Sequence, residues 1–154
     1  MRVIAGIAKG RKLKGTSGKE TRPLTDRVKE SLFSILTPRL CESRVLDIYA
    51  GTGGFSIEAV SRGALLSVAI DKSRSVCAVA QSNINTVGFD SQIAVKCGDA
   101  VTVCRALIEA NERFDIIFAD PPFQDFDNTS SRFALLFDCL ASLCSDDGLL
   151  VLLD

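Results

Sequence analysis

Short apolar segments alternate with amphipathic ones along most of this chain, and that alternation restricts the fold more than any other feature. Arg44 to Ile48, Ser67 to Ile70, Gln92 to Cys97, Phe114 to Ala119 and Leu149 to Leu153 read as strands. Helices are expected between them: from the Tyr49 to Gly53 turn through Arg62, over Ser73 to Val87 with Gly88 closing it, over Val101 to Ala110, and near Ser130 to Cys144 with Phe133, Leu136, Phe137 and Leu140 inward. Thr25 is placed to cap an earlier helix through Thr37, with Val28, Leu32, Ile35 and Leu36 on one face. Strands that alternate with helices connect by right-handed crossovers and pair in parallel. The expected fold is α/β: a doubly wound, mostly parallel sheet covered on both faces. Its 154 residues make one domain, with a basic extension over 1–40, comprising a small β-ribbon and a helix, and a core over 41–154.

In such a sheet, ligands sit beyond the carboxyl ends of the strands. Candidate chemistry collects there. Asp47 lies near the end of the first strand, Asp71 ends the second, Asp99 follows the third and Asp120 follows the fourth. Any one of these is explicable as a cap or turn residue. Four carboxylates at one edge are harder to explain that way. The loop Gly51-Thr52-Gly53-Gly54 has Ser56 where a dinucleotide fingerprint needs glycine or alanine. An aspartate beside the loop repels a pyrophosphate and attracts an ammonium, while the glycines let an uncharged linkage approach the backbone. Asp71 suits a ribose diol and Asp99 an adenine amine. Together they describe an adenosyl group bearing an amino acid, S-adenosylmethionine.

Asp120-Pro121-Pro122-Phe123 is the most telling tetrapeptide. The prolines fix φ and donate no hydrogen bond, so the turn is stiff. It can aim the Asp120 carboxylate and the Pro121 carbonyl at one point and lay the Phe123 ring beside it. Two acceptors and a ring suit the exocyclic amine of a planar base.

Composition removes several alternatives. The chain has no histidine, which excludes Ser-His and Cys-His nucleophiles. Its six cysteines show no Cys-x-x-Cys spacing, so no metal site is expected and the thiols read as reduced, in a cytoplasmic protein. No apolar run is long enough to span a bilayer, and Met1 to Gly10 lacks the apolar stretch of a signal peptide, so no membrane partner is expected. Residues 1–30 hold nine Lys or Arg against three acids, whereas the whole chain is at −1. A basic head on an acidic body points to a polyanion contact at one end. Arg2 to Ala5 and Arg11 to Lys14 read as two short strands around a Gly6 to Gly10 turn, which would order those charges. Arg22 and Arg27 have a second reading, as ion pairs with Asp26 and Glu30.

Val45-Leu46-Asp47-Ile48-Tyr49-Ala50-Gly51-Thr52-Gly53 resembles motif I of class I S-adenosylmethionine-dependent methyltransferases, and Asp120 to Phe123 resembles their amino-methylating motif IV. Arg2-Val3-Ile4-Ala5-Gly6, Lys9-Gly10-Arg11 and Thr21-Arg22-Pro23-Leu24-Thr25-Asp26-Arg27-Val28-Lys29-Glu30 resemble the N-terminal signature of bacterial 16S ribosomal RNA guanine-N2 methyltransferases of the RsmD type. The resemblance runs the length of the chain. It implies a Rossmann-like fold and methyl transfer from S-adenosylmethionine to a guanine N2 amine in the small subunit, as 16S rRNA or an assembled 30S particle. By position it assigns Asp47, Ala50, Gly51, Gly53, Asp71, Lys72, Asp99 and Ala100 to the cofactor. Asp120, Pro121, Pro122 and Phe123 fall to the target base, and Lys9, Arg11, Arg22 and Arg27 to RNA phosphates. The family fold continues past the fifth strand with a helix and a closing strand pair, whereas this sequence stops at Asp154. The implied strand order is 3-2-1-4-5 with an open fifth-strand edge, a surface suited to self-association. The same acceptors would also serve an adenine amine in DNA or a protein glutamine. A catalytically silent RNA-binding module is the alternative of a different class.

Overall fold

The computed structural model describes residues 1–16, 26–121 and 131–153. Its elements run α1 (Asp26–Leu40), β1 (Arg44–Ile48), α2 (Gly54–Ser61), β2 (Leu66–Asp71), α3 (Arg74–Val87), β3 (Ile93–Cys97), α4 (Ala100–Glu109), β4 (Phe114–Ala119), α5 (Ser131–Leu143) and β5 (Cys144–Leu152). The strands form one sheet in the order β3-β2-β1-β4-β5, and every neighbouring pair is parallel. This is the expected order.

Alternation along the central strands sorts side chains onto two cores. Val45, Ile116 and Phe118 pack with Phe33, Leu36, Ile57 and Ile84 of α1, α2 and α3. Leu46, Ile48 and Ile117 pack with Val101, Leu107, Leu136 and Leu140 of α4 and α5. Asp47 is two residues after Val45 and so turns toward the α2 side. Ser73 caps α3 by accepting from the Val76 N–H, and Gly88 ends it in the left-handed region, φ 79°.

Three local expectations are corrected. The helix α1 runs on through Pro38 to Leu40, and its buried residues are Lys29, Phe33, Leu36 and Leu40. Val28 and Ile35 face out, Ile35 at 76% exposure. On α5, Cys139 and Leu143 are buried with Leu136 and Leu140. Phe133 and Phe137 are only half-buried and pack on each other, centroids 4.9 Å apart. Strand β5 begins at Cys144, within the stretch expected to be helix and turn, and its register against β4 shifts before Leu149 pairs with Ile116. Gly148 permits that irregularity, since a Cβ there would stand 2.6 Å from Cys144 Sγ.

The N-terminal ribbon is reduced to a single antiparallel bridge, Arg2 to Lys12. Its strands still exchange backbone hydrogen bonds, Val3 N to Arg11 O and Leu13 N to Met1 O (both 2.9 Å), and the amides between them are taken up by α2. Glu58 accepts from Ile4 N (2.9 Å) and Ala5 N (3.1 Å). Ser61 accepts Ala8 N on its hydroxyl and Ile7 N on its carbonyl, both at 2.9 Å. The approach is so close that a Cβ on Gly6 (φ 87°) would lie 1.9 Å from the Ser61 carbonyl oxygen. Only glycine serves there.

Glu58 is wholly buried, and both Lys29 Nζ (3.3 Å) and Arg62 Nε (3.1 Å) pair with it. Removing one partner of a buried ionic group costs roughly 3–5 kcal/mol. Glu58→Ala is therefore expected to destabilise the protein by about that much, read from the urea midpoint. A loss below about 1 kcal/mol would contradict this role.

Candidate active site at the carboxyl ends of the strands

The sheet brings the four aspartates to one edge, but they are held in different ways. Asp47 is 1% exposed. Its Oδ2 accepts from Ser56 N (3.1 Å) and Ser56 Oγ (2.8 Å), and Ser67 Oγ donates to Ser56 Oγ (2.8 Å). The serine that breaks the dinucleotide pattern thus fastens the start of α2 to β1. Burial pushes the Asp47 pKa up to about 7; the Ser56 hydrogen bonds oppose this, and the charges of Asp120 and Asp71 add to it. Asp47 lies beneath the loop, where it sets the loop's shape and field.

Asp71 is half-buried at the end of β2. Its Oδ2 accepts from Gly51 N and its Oδ1 from Ser73 N, both at 3.0 Å. These amides orient the carboxylate and leave it further lone pairs for a diol. The glycine loop is drawn to the same strand end by Ala50 N on Ile70 O (2.9 Å). Gly51 and Gly53 have φ of 57° and 85°, and Gly53 starts α2 with no side-chain cap. Tyr49, with φ 60°, also lies in the left-handed region, which is costly for a bulky residue.

Asp99 is held by partners on two helices. It is the N-cap of α4: its Oδ2 accepts from Thr102 N (3.1 Å) and Thr102 Oγ1 (3.2 Å), and its Oδ1 pairs with Arg132. An adenine amine at Asp99 would have to share Oδ1 with that guanidinium. Ala100 follows as the first residue of α4, half-buried, and Lys72 is exposed beyond β2.

Asp120 closes the edge from the other side. Its N–H points to Ile48 O at 3.5 Å, so the ends of β4 and β1 lie together. Desolvation raises its pKa, and Pro121 is buried behind it. Pro122, Phe123 and Arg22 lie outside the described residues. Lys9, Arg11 and Arg27 are exposed on the N-terminal side, with one Arg11 nitrogen donating to Thr86 O (2.6 Å). Asp26, the other candidate partner for Arg27, pairs with Arg2 instead (3.5 Å). Among the described residues, no cluster of His, Cys, Asp and Glu could hold a metal, and no helix is long and apolar enough to cross a membrane.

Three connecting residues are not evident from the sequence. Lys29 belongs by position to the basic head, yet it is buried. A single acid within the apolar α2, Glu58, is the available signal for its partner. Asn83, buried on α3, accepts from Lys14 N (2.7 Å) and donates to Lys14 O and Thr52 O, both 3.0 Å. It joins the basic ribbon to the glycine loop.

The donor set suits a cationic adenosyl amino acid. Glycine backbone forms the turn after β1, the Asp71 carboxylate beside it is oriented by two amides, and the aspartates make the surrounding field negative. That same field opposes a pyrophosphate.

A family model described as conserved hypothetical protein 95 matches residues 1–151. Ribosomal RNA small subunit methyltransferase D of Haemophilus influenzae is 32% identical over 149 residues, covering 97% of this chain and 73% of that protein. The chain belongs to this family. Hypothetical protein TTHA0928 of Thermus thermophilus superposes with a TM-score of 0.84 at 27% identity, over 99% of this chain and 84% of that one. A SAM-dependent methyltransferase from Agrobacterium tumefaciens shares the fold, with a TM-score of 0.71 at 24% identity, over 88% of this chain and 46% of the other. S-adenosylmethionine is the cofactor of this methyltransferase family, and the glycine loop and Asp71 fit it.

A buried acid with a raised pKa costs stability only where the unfolded chain is ionised. Below its ordinary value of 3.8, Asp47 is protonated in both states and costs nothing. Between 3.8 and about 7 the unfolded state alone ionises, so this contribution is lost as pH rises. Asp47→Asn lacks that loss. Its stability relative to the parent should rise between about pH 4 and pH 7 in urea titrations. A difference that stays constant across the interval would contradict the assignment.

Proposed function

We propose that this methyltransferase transfers a methyl group from S-adenosylmethionine to the exocyclic N2 amine of a guanine in 16S ribosomal RNA of the small subunit. The observation that carries the reading is the meeting of Asp120-Pro121 with the end of β1, from which the glycine loop leaves, where Asp120 N approaches Ile48 O. The name of the Haemophilus influenzae relative supports ribosomal RNA as the substrate. The exposed Lys9, Arg11 and Arg27 support a phosphate contact on the side where the ribbon is tied down.

Bound S-adenosylmethionine supplies an electrophilic methyl on a sulfonium; the remaining work falls to the chain. The N2 lone pair of guanine is delocalised into the ring, so the amine is a poor nucleophile. The Asp120 carboxylate and the Pro121 carbonyl accept hydrogen bonds from its two N–H groups, favour a pyramidal nitrogen and turn the lone pair toward the methyl. Transfer would join the methyl carbon to nitrogen as its bond to sulfur is given up, and Asp120 would take the one proton released from nitrogen. Its raised pKa makes it a better acceptor than an ordinary carboxylate. Orientation of this kind contributes on the order of 7–11 kcal/mol in intramolecular reactions. The base has to leave its stack to reach the edge. Phe123, assigned by its motif, provides a face worth roughly 1–3 kcal/mol per stacked base.

Asp120→Ala should lower methyl transfer to small-subunit particles lacking the modification by roughly a hundredfold or more. Cofactor affinity, measured by calorimetry, should stay within about threefold, near the range of surface substitutions. Parallel losses in turnover and cofactor binding would defeat this division of roles.

A further inference from the structure

Two cysteines meet at the end of β2, and the methyl-transfer chemistry uses neither. The carbonyl oxygen of Asp71 accepts from the Cys77 thiol at 3.3 Å and from the Gly98 amide at 2.9 Å. Gly98 directly follows Cys97, and Cys97 is the residue that pairs with Asp71 in the parallel register of β2 and β3. The Cys97 thiol is directed at the next carbonyl, Lys72 O, 3.8 Å away. The two thiols thus stand on consecutive carbonyls of one turn. Burial, then a hydrogen bond and charge from the neighbouring Cys97, push the Cys77 thiol up to about 12. Cys77 is 7% exposed, whereas Cys97 is open to solvent. Cys104 and Cys139 also lie near each other, but both are buried and neither offers an entry point.

An exposed thiol with a second one behind it is the arrangement of an oxidisable pair: the outer sulfur meets the oxidant and the inner one closes the bond. We propose that Cys77 and Cys97 join in an intramolecular disulfide when a small-molecule disulfide oxidises them, and that this bond lowers cofactor affinity through Asp71. The Cys97 sulfur attacks one sulfur of the oxidant, and its proton goes to the small thiol that leaves. The Cys77 sulfur then attacks Cys97 and expels the second small thiol, which takes the Cys77 proton. Two thiols become one disulfide, and the two electrons they give up reduce the oxidant to two thiols. Ring closure is the slower step, because Cys77 is held protonated. To bond with each other the thiols give up Asp71 O and Lys72 O. That short stretch also sets the Asp71 carboxylate, through Ser73 N on Oδ1 and Gly51 N on Oδ2. The effect on the cofactor rests on the reading of Asp71 as its ribose acceptor; the disulfide does not.

The test incubates the protein with oxidised glutathione, blocks the remaining thiols and maps disulfides by mass spectrometry of the peptides. The expected product is a Cys77–Cys97 bond, formed after a transient glutathione adduct on Cys97. Affinity for S-adenosylmethionine, measured by calorimetry on the oxidised protein, should fall by on the order of tenfold, as for a disturbed hydrogen bond to a charged group. Dithiothreitol should restore it. Cys97→Ser, a change at an exposed position, should form no such bond and keep its affinity in the presence of the oxidant. A lasting glutathione adduct on Cys97, a bond between other cysteines, or a Cys77–Cys97 bond that leaves affinity unchanged would overturn the proposal. A reduced parent that bound no S-adenosylmethionine would overturn the cofactor reading and with it the effect on affinity, leaving the mapped bond to decide the pairing.

Discussion

The buried carboxylate of Glu58 is the interaction on which the arrangement of this molecule depends. It satisfies two backbone amides of the N-terminal segment, at Ile4 and Ala5, and it balances cations from α1 and from its own helix. A hairpin with one bridge has little stability of its own. Here the segment is ordered because α2 takes up the amides that the two short strands leave unpaired between them. Helix α2 also begins at the glycine loop. One side chain therefore joins the segment carrying the exposed basic residues to the element that opens the cofactor site, and Asn83 makes a second tie between Lys14 and Thr52.

At the strand ends, position in the sheet separates the aspartates by role. The β1 aspartate is enclosed and shapes the loop through Ser56. Asp71 is gripped from behind by two amides and presents its remaining lone pairs outward. The aspartate after β3 is turned to capping α4 and pairing with Arg132. Asp120 remains exposed at the far side of β1, its pKa raised by partial desolvation. Parallel pairing of β4, β1 and β2 brings these groups together without any of them being close in sequence.

Much of this was legible in the residues. The central strands were clear because parallel strands buried on both faces are continuously apolar. The cofactor loop was clear because a strand, a turn with glycines at φ above zero and a helix follow in strict order. The inward face of α1 was not. Hydropathy favours Val28 and Ile35 over Lys29, and Lys29 is buried only because a distant acid on α2 stands opposite it. The start of β5 was hidden for a similar reason: Ser145 to Gly148 carries turn residues, and they fall in the register shift between the pairing of Cys144 with Phe114 and that of Leu149 with Ile116. Asp99 shows a limit of another kind. The sequence places Asp99 after β3 but does not show its contacts with Thr102 and Arg132, which arise only when α4 and α5 pack at that edge.

The central claim is that this edge methylates the N2 amine of guanine in small-subunit RNA. The most direct measurement is to react the protein with labelled S-adenosylmethionine and unmodified 30S particles, digest the RNA to nucleosides and identify the labelled species. The account predicts label in N2-methylguanosine. Label in N6-methyladenosine or in ribosomal protein, or cofactor binding with no transfer to the RNA, would contradict it.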